Sequence, residues 1–262
     1  MNFLLAPRFL WTFDFDGTLS RIVPDRNDAR LHPECGRMLR YLLSSPWNRV
    51  AVISSRALED IAPRVPIPGL YVGGGSGLEW RLPGGGRTGP GSSAERLLSA
   101  NQRAVAPLLS EITAIPGVEV EDKRWSVAIH IRNASPQTFR RRASLLARLR
   151  DLPGIKAYRG HDVLEVQLVK GGGKSNGLRR HCRLAGWNPS RDGIVYAGDD
   201  EDDTVAMRWV LRKGGTAFCV GDRVHVPGAH HVEGPAALAL AVRHLAESVP
   251  RWREDRGRTV VA

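Results

Sequence analysis

Two aspartates one residue apart, Asp14 and Asp16, close an apolar run and precede a Gly-Thr turn in Phe13-Asp14-Phe15-Asp16-Gly17-Thr18-Leu19. Like charges held together at a strand end cost free energy unless a cation neutralises them or a reaction uses them. Asp-x-Asp-Gly is also a common turn sequence, so the motif gains weight only from its partners. Three further segments supply them: Ser54 after the apolar run Val50 to Ile53, Lys174 at a helix start, and Asp199-Asp200 after the run Ile194 to Ala197. Several carboxylates with one Lys and one Ser suit a hard Mg²⁺ ion together with a phosphate. Carboxylate oxygens bind such a cation, while Lys and Ser hold phosphoryl oxygens.

The elements that must position these groups alternate. Phe9 to Phe13 reads as a buried strand whose period of two turns Asp14 and Asp16 the same way. A helix over 34–43, a strand over 49–53, a helix from Leu58 to Val65 and a strand over 70–72 follow. Apolar strands in this order imply a parallel sheet covered on both faces, with ligands bound beyond the carboxyl ends of its strands. Gly84 to Ser93 reads as a Gly/Pro/Ser-rich loop and a boundary. Beyond it an αββαββ pattern appears: helices over 94–115 and 136–149, strands over 118–122, 126–132, 155–159 and 163–169. From Lys174 the first rhythm resumes, with strands over 193–197 and 216–220 and helices over 203–211 and 236–245. The expected fold class is α/β, a doubly wound parallel-sheet core over 1–82 and 168–262 with an inserted α+β cap over 83–167.

Bulk properties narrow the function. The 262 residues, 42% hydrophobic, suffice for one large or two small cores. Three widely spaced cysteines (Cys35, Cys182, Cys219) without a Cys-x-x-Cys pair argue for a reduced, cytoplasmic protein. No apolar stretch reaches bilayer length and no signal peptide is evident. The net charge of +11 comes from basic residues of which only five are Lys, scattered apart from one short cluster at Arg140-Arg141-Arg142, with no long block or interleaved aromatics. Such a field attracts a phosphorylated small molecule and does not outline a nucleic-acid surface.

The four segments, in order, resemble the four motifs of the haloacid dehalogenase superfamily. A narrower resemblance, to trehalose-6-phosphate phosphatases, rests on Phe13 to Pro24, Val52 to Arg56, Gly69 to Tyr71, Val120 to Ser126, the His130/Arg132 strand, Val163 to Val166 and Tyr196 to Asp200. It implies a Mg²⁺-dependent hydrolase acting on trehalose 6-phosphate. Asp14 would be the nucleophile, Asp16 the acid and base, and Ser54 and Lys174 the groups that balance phosphoryl charge. Asp14, the Asp16 backbone carbonyl and Asp199 would bind the metal, with Asp200 and Asp203 orienting Lys174 or metal-bound waters. Arg56, Glu121, Lys123, Arg132 and Glu165 would read the substrate. For Glu121, Lys123 and Glu165 a cross-strand ion-pair network on the cap is the rival reading. The resemblance also implies a monomer, with the glycosyltransferase that makes the sugar phosphate as a potential partner.

Departures from the family pattern concern the sugar. Gly75-Ser76-Gly77 stands where Asn-His-Gly or Glu-His-Gly is usual, and Gln167 where Arg is common. Alternatives therefore stay open: phosphatases of glucosylglycerol phosphate, sucrose 6-phosphate or a pseudodisaccharide phosphate, or a non-catalytic sugar-phosphate-binding subunit.

Overall fold

The computed structural model describes residues 8–131, 133–135, 144, 147–149, 151–159 and 163–248. Its strands, in chain order, are β1 (Phe9–Asp14), β2 (Asn48–Ile53), β3 (Tyr71–Gly74), β4 (Glu79–Arg81), β5 (Arg87–Thr88), β6 (Glu119–Asp122), β7 (Ser126–His130), β8 (Lys156–Arg159), β9 (Val163–Gln167), β10 (Gly193–Gly198), β11 (Thr216–Val220) and β12 (His230–Val232). The helices are α1 (Pro33–Leu43), α2 (Leu58–Arg64), α3 (Ser92–Thr113), α4 (Lys174–Leu184), α5 (Glu201–Arg212) and α6 (Pro235–Ser248). The chain divides into two units, Met1–Ala51 with Cys182–Ala262, and Val52–His181.

In the first unit β1 runs parallel to β10, β10 to β11, and β11 to β12. These strands are nearly all apolar because helices cover them: α5 packs on β10 and β11, α6 on β11 and β12, and α1 against α6. Leu10, Phe13, Val195, Tyr196 and Val220 are buried between the layers. Three free thiols, Cys35, Cys182 and Cys219, lie in this packing. Burial pushes Cys35 up to about 12 and Cys182 up to about 11.

In the second unit β3 continues into two antiparallel strands, β4 and β5. β5 falls inside the segment 84–93 expected to be a loop. A tight turn makes this possible: the Leu82 amide donates to the Gly86 carbonyl, and Gly85 adopts φ +85°. The sheet is therefore mixed, not purely parallel. The unit's other sheet is antiparallel, in the order β6-β7-β9-β8. Its apolar face (Val127, Ile129, Leu164, Val166) buries Leu98, Val105, Leu108 and Ile112 of α3. This is the α+β arrangement expected, although most of the helix expected over 136–149 lies outside the described residues. Leu149, within it, is buried.

Two other differences from expectation have local causes. β12 is only three residues long and carries two histidines, so neither period nor propensity marks it. Helix α5 starts two residues early because Asp200 caps it, accepting from the Asp203 amide at 3.0 Å in a reciprocal capping box. Among the described residues no helix is long and apolar enough to cross a membrane.

Candidate active site

In the first unit β1 and β10 end side by side, with Phe13 opposite Ala197. That register brings Asp14, the last residue of β1, beside Asp199, the first residue after β10. Both are buried, at 2% and 3% exposure. With fully buried Asp203 they form an acidic triad whose ligand atoms lie within 4.8 Å of one another, so the group could hold a metal ion. Three carboxylates and no thiolate or imidazole make a hard oxygen site, suited to Mg²⁺ in preference to zinc or copper.

The three are not equivalent. Asp203 accepts from the Tyr196 hydroxyl at 2.7 Å and from the amides of Asp199 and Asp200 at 3.1 Å each. Both of its oxygens are thus committed to shaping the turn that carries Asp199. Asp199 itself faces outward contacts: the Thr18 hydroxyl donates to it at 3.4 Å, and Arg223 lies 3.5 Å away. Gly17, at φ +84°, presses against the same carboxylate, where any Cβ would overlap it. Asp14 and Asp199 therefore meet as acceptors at one point, and Asp203 holds one of them there.

Asp16 lies beyond the strand expected to carry it. β1 stops at Asp14, and the chain turns at once, with the amides of Thr18, Leu19 and Ser20 all directed at the Phe15 carbonyl. Asp16 is half-buried and forms an isolated bridge with Ser20 outside β1. Alternation of strand side chains does not extend to it.

In the second unit Ser54 and Lys174 are both buried, at 1% and 2% exposure. The Ser54 amide donates to the Gly73 carbonyl, its carbonyl accepts from Ser76, and its hydroxyl accepts from the Arg56 amide. Ala57, not Ser54, occupies the N-cap of α2. Lys174 is the first residue of α4. Arg56 is also buried, and its guanidinium pairs with Asp60 at 2.8 Å. Burial would raise the Asp60 carboxyl, but Arg56 and Arg64 together hold it below its ordinary value.

The polar face of the antiparallel sheet gathers the residues expected to read a substrate. Ala128 stands opposite both Glu121 and Glu165 in register, so the two carboxylates flank one small residue. Lys123 bridges to Glu165 at 3.1 Å, Ser126 donates to the same carboxylate, and His130 meets Glu121 at 3.0 Å. The ion-pair network foreseen as the rival reading is thus present on this face. Arg132 lies outside the described residues.

Comparison with known proteins decides the family. The trehalose-phosphatase family model matches residues 12–239. The chain belongs to the trehalose-phosphatase family. Among curated relatives, the trehalose-phosphate phosphatase of Mycobacterium ulcerans is 32% identical over 252 residues, covering 94% of this chain and 63% of the relative. That of Mycobacterium tuberculosis is 34% identical over 245 residues, covering 90% of this chain and 61% of the relative. The chain thus spans less than two thirds of the relatives it matches. Among solved structures, the C-terminal domain of the Candida albicans trehalose-6-phosphate phosphatase superposes with a TM-score of 0.75 at 21% identity, covering 94% of each chain. At that identity the likeness establishes the fold.

Several residues escaped the sequence reading. Arg223 reaches the acidic triad through tertiary contact, and no local pattern announces it; Tyr196 stands inside a segment already quoted, but its bond to Asp203 does not show in the sequence. Thr18, Ser126 and His130 stood inside the segments already singled out, but no role was drawn for them.

Proposed function

We propose that the chain is a Mg²⁺-dependent phosphatase that hydrolyses a sugar phosphate, trehalose 6-phosphate first. The observation that carries this is the buried meeting of Asp14 and Asp199 at the ends of adjacent parallel strands. The family match supports the choice of reaction.

In the proposed reaction an Asp14 oxygen attacks phosphorus in line and the bond from phosphorus to the sugar oxygen breaks. Asp16 gives its proton to the departing sugar oxygen, leaving an aspartyl-phosphate on Asp14. Asp16, now a base, takes a proton from water as the water oxygen attacks phosphorus, releasing phosphate and restoring Asp14. Ser54 and Lys174 are assigned to the phosphoryl oxygens, as a neutral donor and a positive charge. Asp14, Asp199 and the Asp16 carbonyl would hold Mg²⁺, whose charge offsets that of the phosphoryl group. Asp203 holds the Asp199 turn, and Asp200 caps α5 beside it.

The domain assignment proposed is a catalytic core over 1–82 and 168–262 and a cap over 83–167, whose polar sheet face reads the sugar through Glu121, Lys123 and Glu165. Arg56 and Arg132 are retained as substrate contacts. Three free thiols support a reducing, cytoplasmic location. A monomer, with the glycosyltransferase that makes the sugar phosphate as a partner, completes the proposal. The unusual Gly75-Ser76-Gly77 segment favours another glycosyl phosphate, such as glucosylglycerol phosphate, sucrose 6-phosphate or a pseudodisaccharide phosphate, as the second reading.

Phosphate release from a panel of sugar phosphates tests the assignment. Trehalose 6-phosphate is expected among the best substrates, and its absence from that group ends the first reading. Asp14→Asn should abolish turnover while ligand affinity stays within about tenfold, because the fold and the phosphate contacts remain. Full activity in that variant removes the nucleophile.

A further inference from the structure

Helix α4 begins at Lys174, and its next turn brings Gly177 against the 75–77 segment. A Cβ on Gly177 would lie 2.5 Å from the Ser76 carbonyl oxygen, and one on Gly77 would overlap the Gly177 backbone. Two glycines therefore let helix and loop backbones touch. The loop is tied at its other side to Ser54, whose carbonyl accepts from the Ser76 amide at 2.8 Å. A continuous path runs from Ser54 through Ser76 to Gly177, one helical turn from Lys174.

A second set of contacts clamps the same junction. The indole nitrogen of fully buried Trp80 donates to the Gly77 carbonyl at 2.7 Å. Its ring stacks on His181, at 5.5 Å between centroids and 22° between planes, and Tyr71 packs on His181 at 4.9 Å. His181 lies two turns beyond Lys174 on α4, on the same side of the helix. Trp80 thus grips the loop by its polar edge and the helix by its face. The six-membered part of the ring, beside that nitrogen, rests on Gly73, where a Cβ would come within 3.1 Å of it.

We infer that Gly177 and Trp80 are positioning residues that fix the helix carrying Lys174 against the loop tied to Ser54. The inference rests on the reading of Ser54 and Lys174 as the phosphoryl-holding pair. A side chain larger than hydrogen at position 77 would meet the α4 backbone, so the third residue of Gly75-Ser76-Gly77 must stay glycine. The device acts by setting the spacing of two groups that must grip one phosphoryl unit together, and phosphoryl transfer depends on such spacing.

The experiment compares Gly177→Ala and Trp80→Phe in the full chain. Alanine is the better helix former, so a purely local effect of the first change would favour the fold. The second keeps a ring on His181 and removes the N–H donated to Gly77. Binding of inorganic phosphate with Mg²⁺ present is measured by titration calorimetry, and kcat is measured on the best sugar phosphate. Both variants should bind phosphate about tenfold more weakly and lose about tenfold in kcat at a temperature where they are fully folded. Val242→Ala, a core change in the other unit, should lower the melting temperature and leave phosphate affinity intact. Phosphate affinity and kcat within about twofold of the parent protein in both variants, whatever their melting temperatures, overturn the inference. Should Gly177→Ala fail to fold, Trp80→Phe alone decides. Parent protein that binds phosphate but releases none from any sugar phosphate removes the activity reading. The loss of phosphate binding in the variants would still uphold the positioning role.

Discussion

Asp203 receives three donors and Asp199 stands beside it, two residues of one type with opposite duties. A carboxylate already saturated by a hydroxyl and two amides is poor as a further ligand and good as an anchor. Tyr196→Phe tests that anchor, because it deletes one fully buried hydroxyl and nothing else. A hydrogen bond to a charged group contributes about 2 kcal/mol, so urea unfolding should show a loss near that size. Turnover should fall as the Asp199 turn loosens. An unchanged urea midpoint would show that Asp203 does not depend on Tyr196. At this scale the meeting of Asp14 and Asp199 was legible, because each sits in a short segment ending an apolar run. The anchoring role of Tyr196 was not, since a hydroxyl buried at a strand end does not declare its acceptor, and Arg223 lies in a loop without a pattern.

Elements decide how well such segments can be read. Long apolar strands and capped helices declare themselves by period, and β1, β2, β10, β11, α1 and α3 fell where the periodicity put them. β4, β5 and β12 are two or three residues long, too short for any period, and pairing with a neighbour is what makes them strands. Asp16 shows the reverse error: an alternation was carried two residues past the point where the strand turns away. The turn depends on Gly17, whose φ of +84° costs a residue with a Cβ about 1 kcal/mol before any clash is counted. Gly17→Ala should also drive the Asp199 carboxylate from its place. Mg²⁺ affinity, read by metal titration, should weaken at least about tenfold, with turnover down about a hundredfold. Parent-like metal affinity in Gly17→Ala would separate the glycine from the acidic site.

At the scale of the whole molecule, acid stability carries a signature of one buried histidine. Burial holds His181 neutral by pushing its pKa down to about 3 from 6.5. Above pH 6.5 neither the folded nor the unfolded chain protonates it. Between pH 6.5 and 3 only the unfolded chain does, so stability falls on acidification by about 1.4 kcal/mol per pH unit. From pH 7 to pH 5 the His181 contribution is a loss of about 2 kcal/mol. His181→Phe, which keeps a ring between Trp80 and Tyr71, should flatten that limb of the urea midpoint against pH. Equal slopes for the two proteins would exclude His181 as its source. The division of the chain into two units was not visible in the sequence, because its boundaries fall inside β2 and α4 and not in a linker.

All three sulfhydryl groups belong to the unit formed by the two ends of the chain, and Val52–His181 contains none. With their acidity suppressed by the apolar surroundings, they are inert toward alkylating reagents while that unit stays closed. Iodoacetamide incorporation at Cys35 and Cys219 therefore times the opening of the unit formed by the chain ends. An unfolding event confined to the antiparallel sheet would leave the label count at zero, which turns an ordinary thiol assay into a readout of which half yields first.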